Sequence, residues 1–232
     1  MSQKFSAFIF ARGGSKGIKD KNIIDLAGKP LIYYSINHAL SCEKIKDVFV
    51  STDNEKIKEI SKELGAQIIN RPPALAEDDS PELDSWKHAI NEKKDTFKDN
   101  QPFISLPTTS PLRDFKKINT AIDLFCNSNF DLVLGVSESI RNPYLNMGEL
   151  RSNGNFEVLS SSKNFYRRQD TPKTYDISTN FYVGSPSYLM ECKNIMEGKI
   201  GVVEITRMEA IDIDERYDLH LAKLLMENPY GK

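Results

Sequence analysis

The chain has 232 residues, with 31 Lys and Arg against 33 Asp and Glu, a formal net charge of −2. A balance so near zero gives no broad attraction to nucleic acid or acidic lipid, and positive charge gathered in one loop is not the long stripe of a nucleic-acid binder. An apolar fraction of 39%, taken with 12 Gly, and 28% charged residues exclude wholesale disorder; the length suits one large domain rather than two unrelated ones.

Residues 5–11 form a mostly apolar run that is too short to span a bilayer and lacks a signal-peptide cleavage region; no later run is longer, so no membrane association is expected. Cys42, Cys126 and Cys192 are odd in number and lack CxxC or Cys/His spacing, which points to a soluble protein of the reducing cytoplasm.

In chain order, strand-like runs are expected at Phe5–Phe10, 47–51, Gln67–Asn70, 101–106 and 131–136. Between them Ile32/Ile36/Ala39/Leu40, Ile57/Ile60/Leu64 and Ile118/Ala121/Ile122/Phe125 repeat at helical spacing. This alternation predicts an α/β fold with a mostly parallel sheet, and places function in the loops beyond the strands' carboxyl ends. The pattern weakens over about residues 140–179, where Asn153-Gly154-Asn155 and a serine cluster interrupt short apolar stretches; a hairpin-like insertion is expected there. It resumes with strands at 180–183 and 202–205 and a closing helix carrying Leu221, Leu224 and Leu225. His38, His88 and His220 fall on predicted helices without clustered partners, which suits a core or surface role rather than catalysis.

After the first strand comes Ala11-Arg12-Gly13-Gly14-Ser15-Lys16-Gly17, then Lys19, Asp20, Lys21 and Asn22, with Gly28-Lys29-Pro30 opening a helix. Glycines let backbone amides approach an anion while Arg12, Lys16 and Lys21 neutralise it, so the stretch reads as a polyphosphate cradle; an ordinary strand-to-helix turn is the plainer alternative. It is neither a Walker A loop nor a dinucleotide fingerprint. Near the other end, strand alternation through Ile211-Asp212-Ile213-Asp214 would place both carboxylates on one side, a donor pair suited to Mg²⁺, although Asp214 could also cap the next helix.

Hydroxyls in Leu106-Pro107-Thr108-Thr109-Ser110-Pro111-Leu112-Arg113 could bind a base or sugar, or could cap a helix that Pro111 begins. Ser51-Thr52-Asp53 is expected to be structural, as the cap of the helix that follows. Arg167-Arg168-Gln169 and the residues to Tyr175 form either a bidentate carboxylate site or a solvated basic turn.

Together these motifs resemble the acylneuraminate cytidylyltransferases. The residues that carry the likeness are Ala11–Gly17 in the order above with Lys21-Asn22, Gly28-Lys29-Pro30-Leu31, Val50-Ser51-Thr52-Asp53, Arg71-Pro72 with Leu75-Ala76, Thr109 to Arg113, Arg168-Gln169 and Ile211 to Asp214. Arg141-Asn142-Pro143-Tyr144, Pro172-Lys173 and Tyr175-Asp176 are most similar to the CMP-legionaminate synthetase type. The resemblance implies a Rossmann-like, GT-A-like nucleotidyltransferase domain spanning 1–232, a homodimer joined through the insertion, and transfer of CMP from CTP to a nonulosonic acid with release of pyrophosphate.

By that resemblance, Arg12, Lys16 and Lys21 contact the triphosphate, and Ala11 to Ser15, Asn22, Arg71 and Ser80 hold the nucleotide. Thr108, Thr109, Arg168, Gln169 and Tyr175 face the sugar. Asp212 and Asp214 carry magnesium, and Asp212 doubles as proton acceptor. Pro107-Thr108 stands where many sialate-activating relatives have Gln, and Asp176-Ile177-Ser178-Thr179 where they often have Arg-Pro-Asn-Gly. An altered acceptor pocket beside an intact phosphate turn implies a different nine-carbon acid, or a related 2-keto acid, and unchanged chemistry.

Overall fold

The computed structural model describes residues 4–14, 17–160 and 165–228, without the side chains of 98–100. Its first half contains β1 (Phe5–Phe10), a two-residue-stranded hairpin β2 (Asp25–Leu26) and β3 (Lys29–Pro30), α1 (Leu31–Ser41), β4 (Ile45–Thr52), α2 (Glu55–Glu63), β5 (Gln67–Asn70), α3 (Glu82–Glu92) and β6 (Phe103–Ser105). The second half contains α4 (Phe115–Cys126), β7 (Leu132–Glu138), β8 (Gly148–Leu150), β9 (Phe156–Val158), β10 (Tyr175–Gly184), α5 (Pro186–Glu191), β11 (Ile200–Glu204) and α6 (Arg216–Glu227). Seven strands form one sheet in the order β11-β7-β10-β6-β1-β4-β5. All its pairings are parallel except those of β10, which runs antiparallel to both β6 and β7.

Strand alternation divides the core between the two faces of this sheet. Ala7, Ile9, Val48, Val50, Ile104 and Val133 face Ile32 and Ile36 of α1, Ile57 of α2 and Ile118 and Ile122 of α4. Their neighbours Phe8, Phe49, Phe103, Leu132 and Leu134 face Trp86 and Ile90 of α3 and Leu189 of α5. Aromatic rings fill this second layer, Phe8 stacked on Phe103 and Trp86 tilted against Tyr182, each pair 5.1 Å apart between centroids. A third, smaller cluster of Ile18, Leu26, Leu31, Ile213 and Ala222 joins the β2–β3 hairpin to α6.

Several local expectations need correction. Residues 211–214 belong to no strand, and Glu215 with Asp218, not Asp214, forms the capping box of α6. Asn54 caps α2, its side chain accepting from Ile57 N at 3.2 Å, in place of any of Ser51, Thr52 and Asp53. Asp114 caps α4, so Pro111 lies in the preceding turn and not in a helix. The expected hairpin within the insertion is β8–β9, closed by Gly154 at φ 83°, a left-handed value suited to glycine.

His38 on α1 is largely buried with an unpartnered Nδ1, and burial first, then the charge of Arg113, lowers its pKa to about 3. The folded form therefore refuses a proton that the unfolded chain takes up below pH 6.5, and stability falls as the pH drops from there toward 3. At pH 5 this costs about 2 kcal/mol, since each unit of differential protonation is worth about 1.36 kcal/mol. A His38→Gln variant should show a flatter decline in denaturation midpoint between pH 7 and 5.

Candidate active site

The sheet order reverses at β1, whose neighbours β4 and β6 are reached by connections leaving in opposite directions, and a crevice forms beyond the strand ends at such a switch point. The loop after β1 enters it first. Ala11 is buried and its amide donates to Ser51 O at 3.0 Å, extending the pairing with β4 by one step. Gly13 N donates to Asp53 Oδ1 at 2.9 Å, so Asp53 anchors this turn. A Cβ at Gly13 would sit 2.8 Å from Asn54 Nδ2, whereas one at Gly14 would meet nothing. Ser15 and Lys16 lie outside the described residues.

At Gly17 a Cβ would lie 2.5 Å from the carbonyl oxygen of Asp214. Only glycine allows the two backbones so close. Lys21 closes the same gap, its Nζ donating to Ile213 O and to Asp214 Oδ1, both at 3.0 Å. The cationic turn and the paired aspartates, 193 residues apart in sequence at this contact, therefore meet in space. Ile213 sits between them, buried in the third cluster, with its amide donating to Thr109 O at 2.8 Å.

A cavity of about 260 Å³ opens beside this contact, and its wall includes Arg12, Lys21, Asn22, Arg71, Ser80, Thr108 and Thr109. Asn22 is buried; its amide nitrogen donates to Arg12 O at 3.0 Å while its amide oxygen accepts from the Thr108 hydroxyl. Arg12 Nη1 pairs with Asp78 Oδ1 at 2.8 Å and reaches Ala76 O at 3.3 Å. Arg71 lies over the Phe10 ring at 5.6 Å and donates to Ser51 Oγ at 3.2 Å and Ser51 O at 2.9 Å. Burial lowers its pKa to about 10, which leaves it charged at neutral pH.

Sequence reading did not single out Glu82 or Trp86, which stand on the first turns of α3 where Ser80-Pro81 marks a helix start. Glu82 lines the cavity and accepts from Trp86 Nε1 at 3.2 Å. The protein packed around Glu82 raises its carboxyl pKa; Trp86 and Arg71 oppose that rise and Asp212 adds to it. Burial first, then the charges of Glu82 and Asp212, also raise the pKa of Tyr182. Asp212 Oδ1 is buried without a hydrogen-bond partner.

Arg168 and Gln169 line a separate cavity of about 460 Å³ with Glu138, Ser139, Asn142 and Thr171. Arg168 Nη2 donates there to Ser139 O at 2.7 Å and Ile140 O at 2.9 Å, while Arg167 is engaged by Asp170 at 2.8 Å. Tyr175 borders neither cavity, its hydroxyl donating to Glu204 Oε1 at 2.8 Å. Within one chain, then, Thr108 and Thr109 line the same cavity as Arg12, Asn22 and Arg71, and the other three residues expected to face the sugar lie elsewhere.

A polar crevice at the switch point of a largely parallel sheet, with cations and carboxylates close together, is a place where such folds bind ligands. The chain belongs to the cytidylyltransferase family, whose model it matches over residues 6–225. It is 33% identical over 220 residues to the CMP-N,N'-diacetyllegionaminic acid synthase of Campylobacter jejuni subsp. jejuni serotype O:2, with 94% of this chain and 93% of that one covered. It is 34% identical over 211 residues to the N-acylneuraminate cytidylyltransferase of Streptococcus agalactiae serotype III; the match covers 90% of this chain but only 50% of that longer protein. The solved CMP:2-keto-3-deoxy-manno-octonic acid synthetase complexed with CTP shares the fold at a TM-score of 0.73 and 15% identity, over 97% of this chain and 99% of that one.

Proposed function

We propose that the protein transfers CMP from CTP to the anomeric hydroxyl of a nonulosonic acid of the sialic or legionaminic type, releasing pyrophosphate. The observation that carries this reading is the junction of Lys21 with Ile213 O and Asp214, on the rim of the cavity that holds Arg12, Asn22 and Arg71. The names of the two relatives set the acceptor class.

Asp212, with its buried unpartnered oxygen, and Asp214, with a largely exposed carboxylate, fit a magnesium ion that takes two protein oxygens and leaves its remaining positions to phosphate and water. When bound there, Mg²⁺ would supply Lewis-acid stabilisation of the triphosphate. The sugar C2 oxygen attacks the α-phosphorus, the bond to the bridging oxygen of pyrophosphate breaks, and the hydroxyl proton passes to the Asp212 carboxylate. No covalent intermediate is required, so the chain contributes alignment and charge. Arg12 leaves its exposed partner Asp78 for phosphate at little cost, because such pairs are worth about 0–1 kcal/mol. Lys21 offsets charge on the leaving pyrophosphate, and the backbone of Gly13 and Gly14 completes that cradle; Ser15 and Lys16, expected in the same role, lie outside the described residues. Asn22, Arg71 and Ser80 hold the nucleoside.

Incubation with CTP, Mg²⁺ and a panel of nonulosonic and shorter 2-keto acids, followed by product mass, tests donor and acceptor together. A CMP-nonulosonate is the expected product. Turnover only with another nucleotide or with a sugar phosphate, or CTP binding without turnover of any acid, would exclude the reading.

Arg168, Gln169 and Tyr175 are assigned to the acid through a partner subunit, since they stand apart from the cleft of their own chain. The insertion supports this with Leu150 and Phe156, paired across β8–β9 and 73% and 65% exposed, and with two more exposed apolar side chains in the same segment, Leu159 and Tyr166. So large an apolar surface marks an interface, and a symmetric homodimer is the simplest closed form. The double variant Leu150→Asp/Phe156→Asp should sediment as a monomer where the parent protein sediments as a dimer. Cys42, Cys126 and Cys192 are free thiols, and no helix among the described residues is long and apolar enough to cross a membrane. The free thiols suit the reducing cytoplasm in which we place the protein.

A further inference from the structure

We propose that Arg113 is a positioning residue that holds the Thr108–Thr109 wall of the cleft and the carboxylate segment at 211–214 in one fixed relation. This rests on the cytidylyl-transfer reading above and extends it to a residue outside the cleft.

Arg113 is 3% exposed, and no ion pair with an acid reaches it among the described residues. Its fork is used on three sides instead. Nε donates to Asn180 O, Nη2 to Pro107 O at 2.7 Å and Nη1 to Ser35 Oγ at 3.3 Å, and Ser35 Oγ in turn donates to Pro107 O at 2.9 Å. Burying a charge without a counter-ion is costly, so the chain keeps it for something the three acceptors need.

What they need follows from the sheet. β6 ends at Ser105, and the register of β10 against β7 is broken between Ser178 and Tyr182. The carbonyls of Pro107 and Asn180 therefore lie where neither strand offers a ladder partner, and the guanidinium fills the gap between them. Two chains of contacts run from that point to the reacting groups. One passes along the turn to Thr109, whose carbonyl accepts from the amide of Ile213, between Asp212 and Asp214. The other passes through Asn180, whose Nδ2 donates to Glu209 O at 2.6 Å, just before the same segment. Ser110 Oγ and Thr179 Oγ1, 3.2 Å apart, brace the turn between them. A lysine keeps the charge but cannot present three directed donors in a plane.

The test uses Arg113→Lys in the intact protein, with two readouts. Trp86, the single tryptophan, lies against Glu82 in the cleft wall, so its emission reports CTP binding without turnover. The variant should bind CTP in the absence of metal within twofold of the parent protein, while kcat per folded molecule falls at least tenfold and KM for the acid rises. Unchanged kcat at full occupancy, with only a lower melting temperature, would make Arg113 purely structural and overturn the proposal. If Arg113→Lys does not fold, Ser35→Ala decides: it removes one acceptor of Arg113 and one donor to Pro107 O. A threefold or larger fall in kcat with CTP binding retained supports the coupling, and an unchanged kcat overturns it. Should the parent protein itself transfer no CMP, the reading of function has failed before Arg113 is tested.

Discussion

A Lys21→Ala variant is expected to lower kcat/KM for CMP transfer by about 10²–10³-fold, the scale of losing one preorganised donor to transition-state charge. The residue has two duties in the structure. Its ammonium lines the cavity wall, where the proposed triphosphate would lie, and it ties the turn after β1 to Ile213 O and Asp214. Alanine removes both, so the damage should appear in single-turnover chemistry as well as in CTP affinity. Lys21→Arg restores charge but not the compact ammonium, and should recover part of the loss. Circular dichroism and Trp86 emission would show that the fold persists. Near-parental kcat/KM in folded Lys21→Ala protein would remove the residue from the mechanism.

Asp212→Asn is expected to cost a similar factor, about 10²–10³-fold in kcat, by replacing a charged oxygen with a neutral group of the same shape. Asp212 Oδ1 is buried and unpartnered, while Asp214 is largely exposed and already neutralised by Lys21. Of the two carboxylates, Asp212 therefore has the uncompensated charge to offer a cation. Isothermal titration of the CTP-bound protein with Mg²⁺ gives a check that needs no turnover: the variant should bind the ion at least tenfold more weakly, with metal-free CTP affinity unchanged. Equal Mg²⁺ affinity in both proteins would assign the ion to other ligands.

The turn carrying Arg12, Gly13, Gly17 and Lys21 was legible because its signal is local, three glycines and four cations within a dozen residues after an apolar strand. The sheet was legible for the same reason: Val48, Phe49 and Val50 alternate between the two cores as their spacing implies. Supports that depend on distant partners were not. Asp53 looked like a helix cap because it precedes α2, but its carboxylate holds Gly13 forty residues away. Residues 211–214 looked like a strand because Ile and Asp alternate, yet Ile213 is fixed by burial and by Thr109 rather than by a sheet neighbour. Arg113 entered only as the end of the Thr109 to Arg113 motif, with no role of its own; its burial follows from where β6 stops and where β10 loses register. Glu82 and Trp86 went unnoticed because nothing in the polar sequence of α3 says which crevice the helix borders.

The third cluster packs Ile18, Leu26 and Leu31 against Ile213 and Ala222, so the first thirty-odd residues and the last twenty complete one another. Synthesis from the ribosome delivers the amino-terminal half of this junction long before the other half exists. Premature termination between residues 32 and 211 leaves a chain with the glycine-bearing turn after β1 but without Asp212 and Asp214, and with Ile18, Leu26 and Leu31 missing the apolar partners Ile213 and Ala222. Such fragments should be inert and open to proteolysis at the turn, so that only the finished polypeptide can spend CTP.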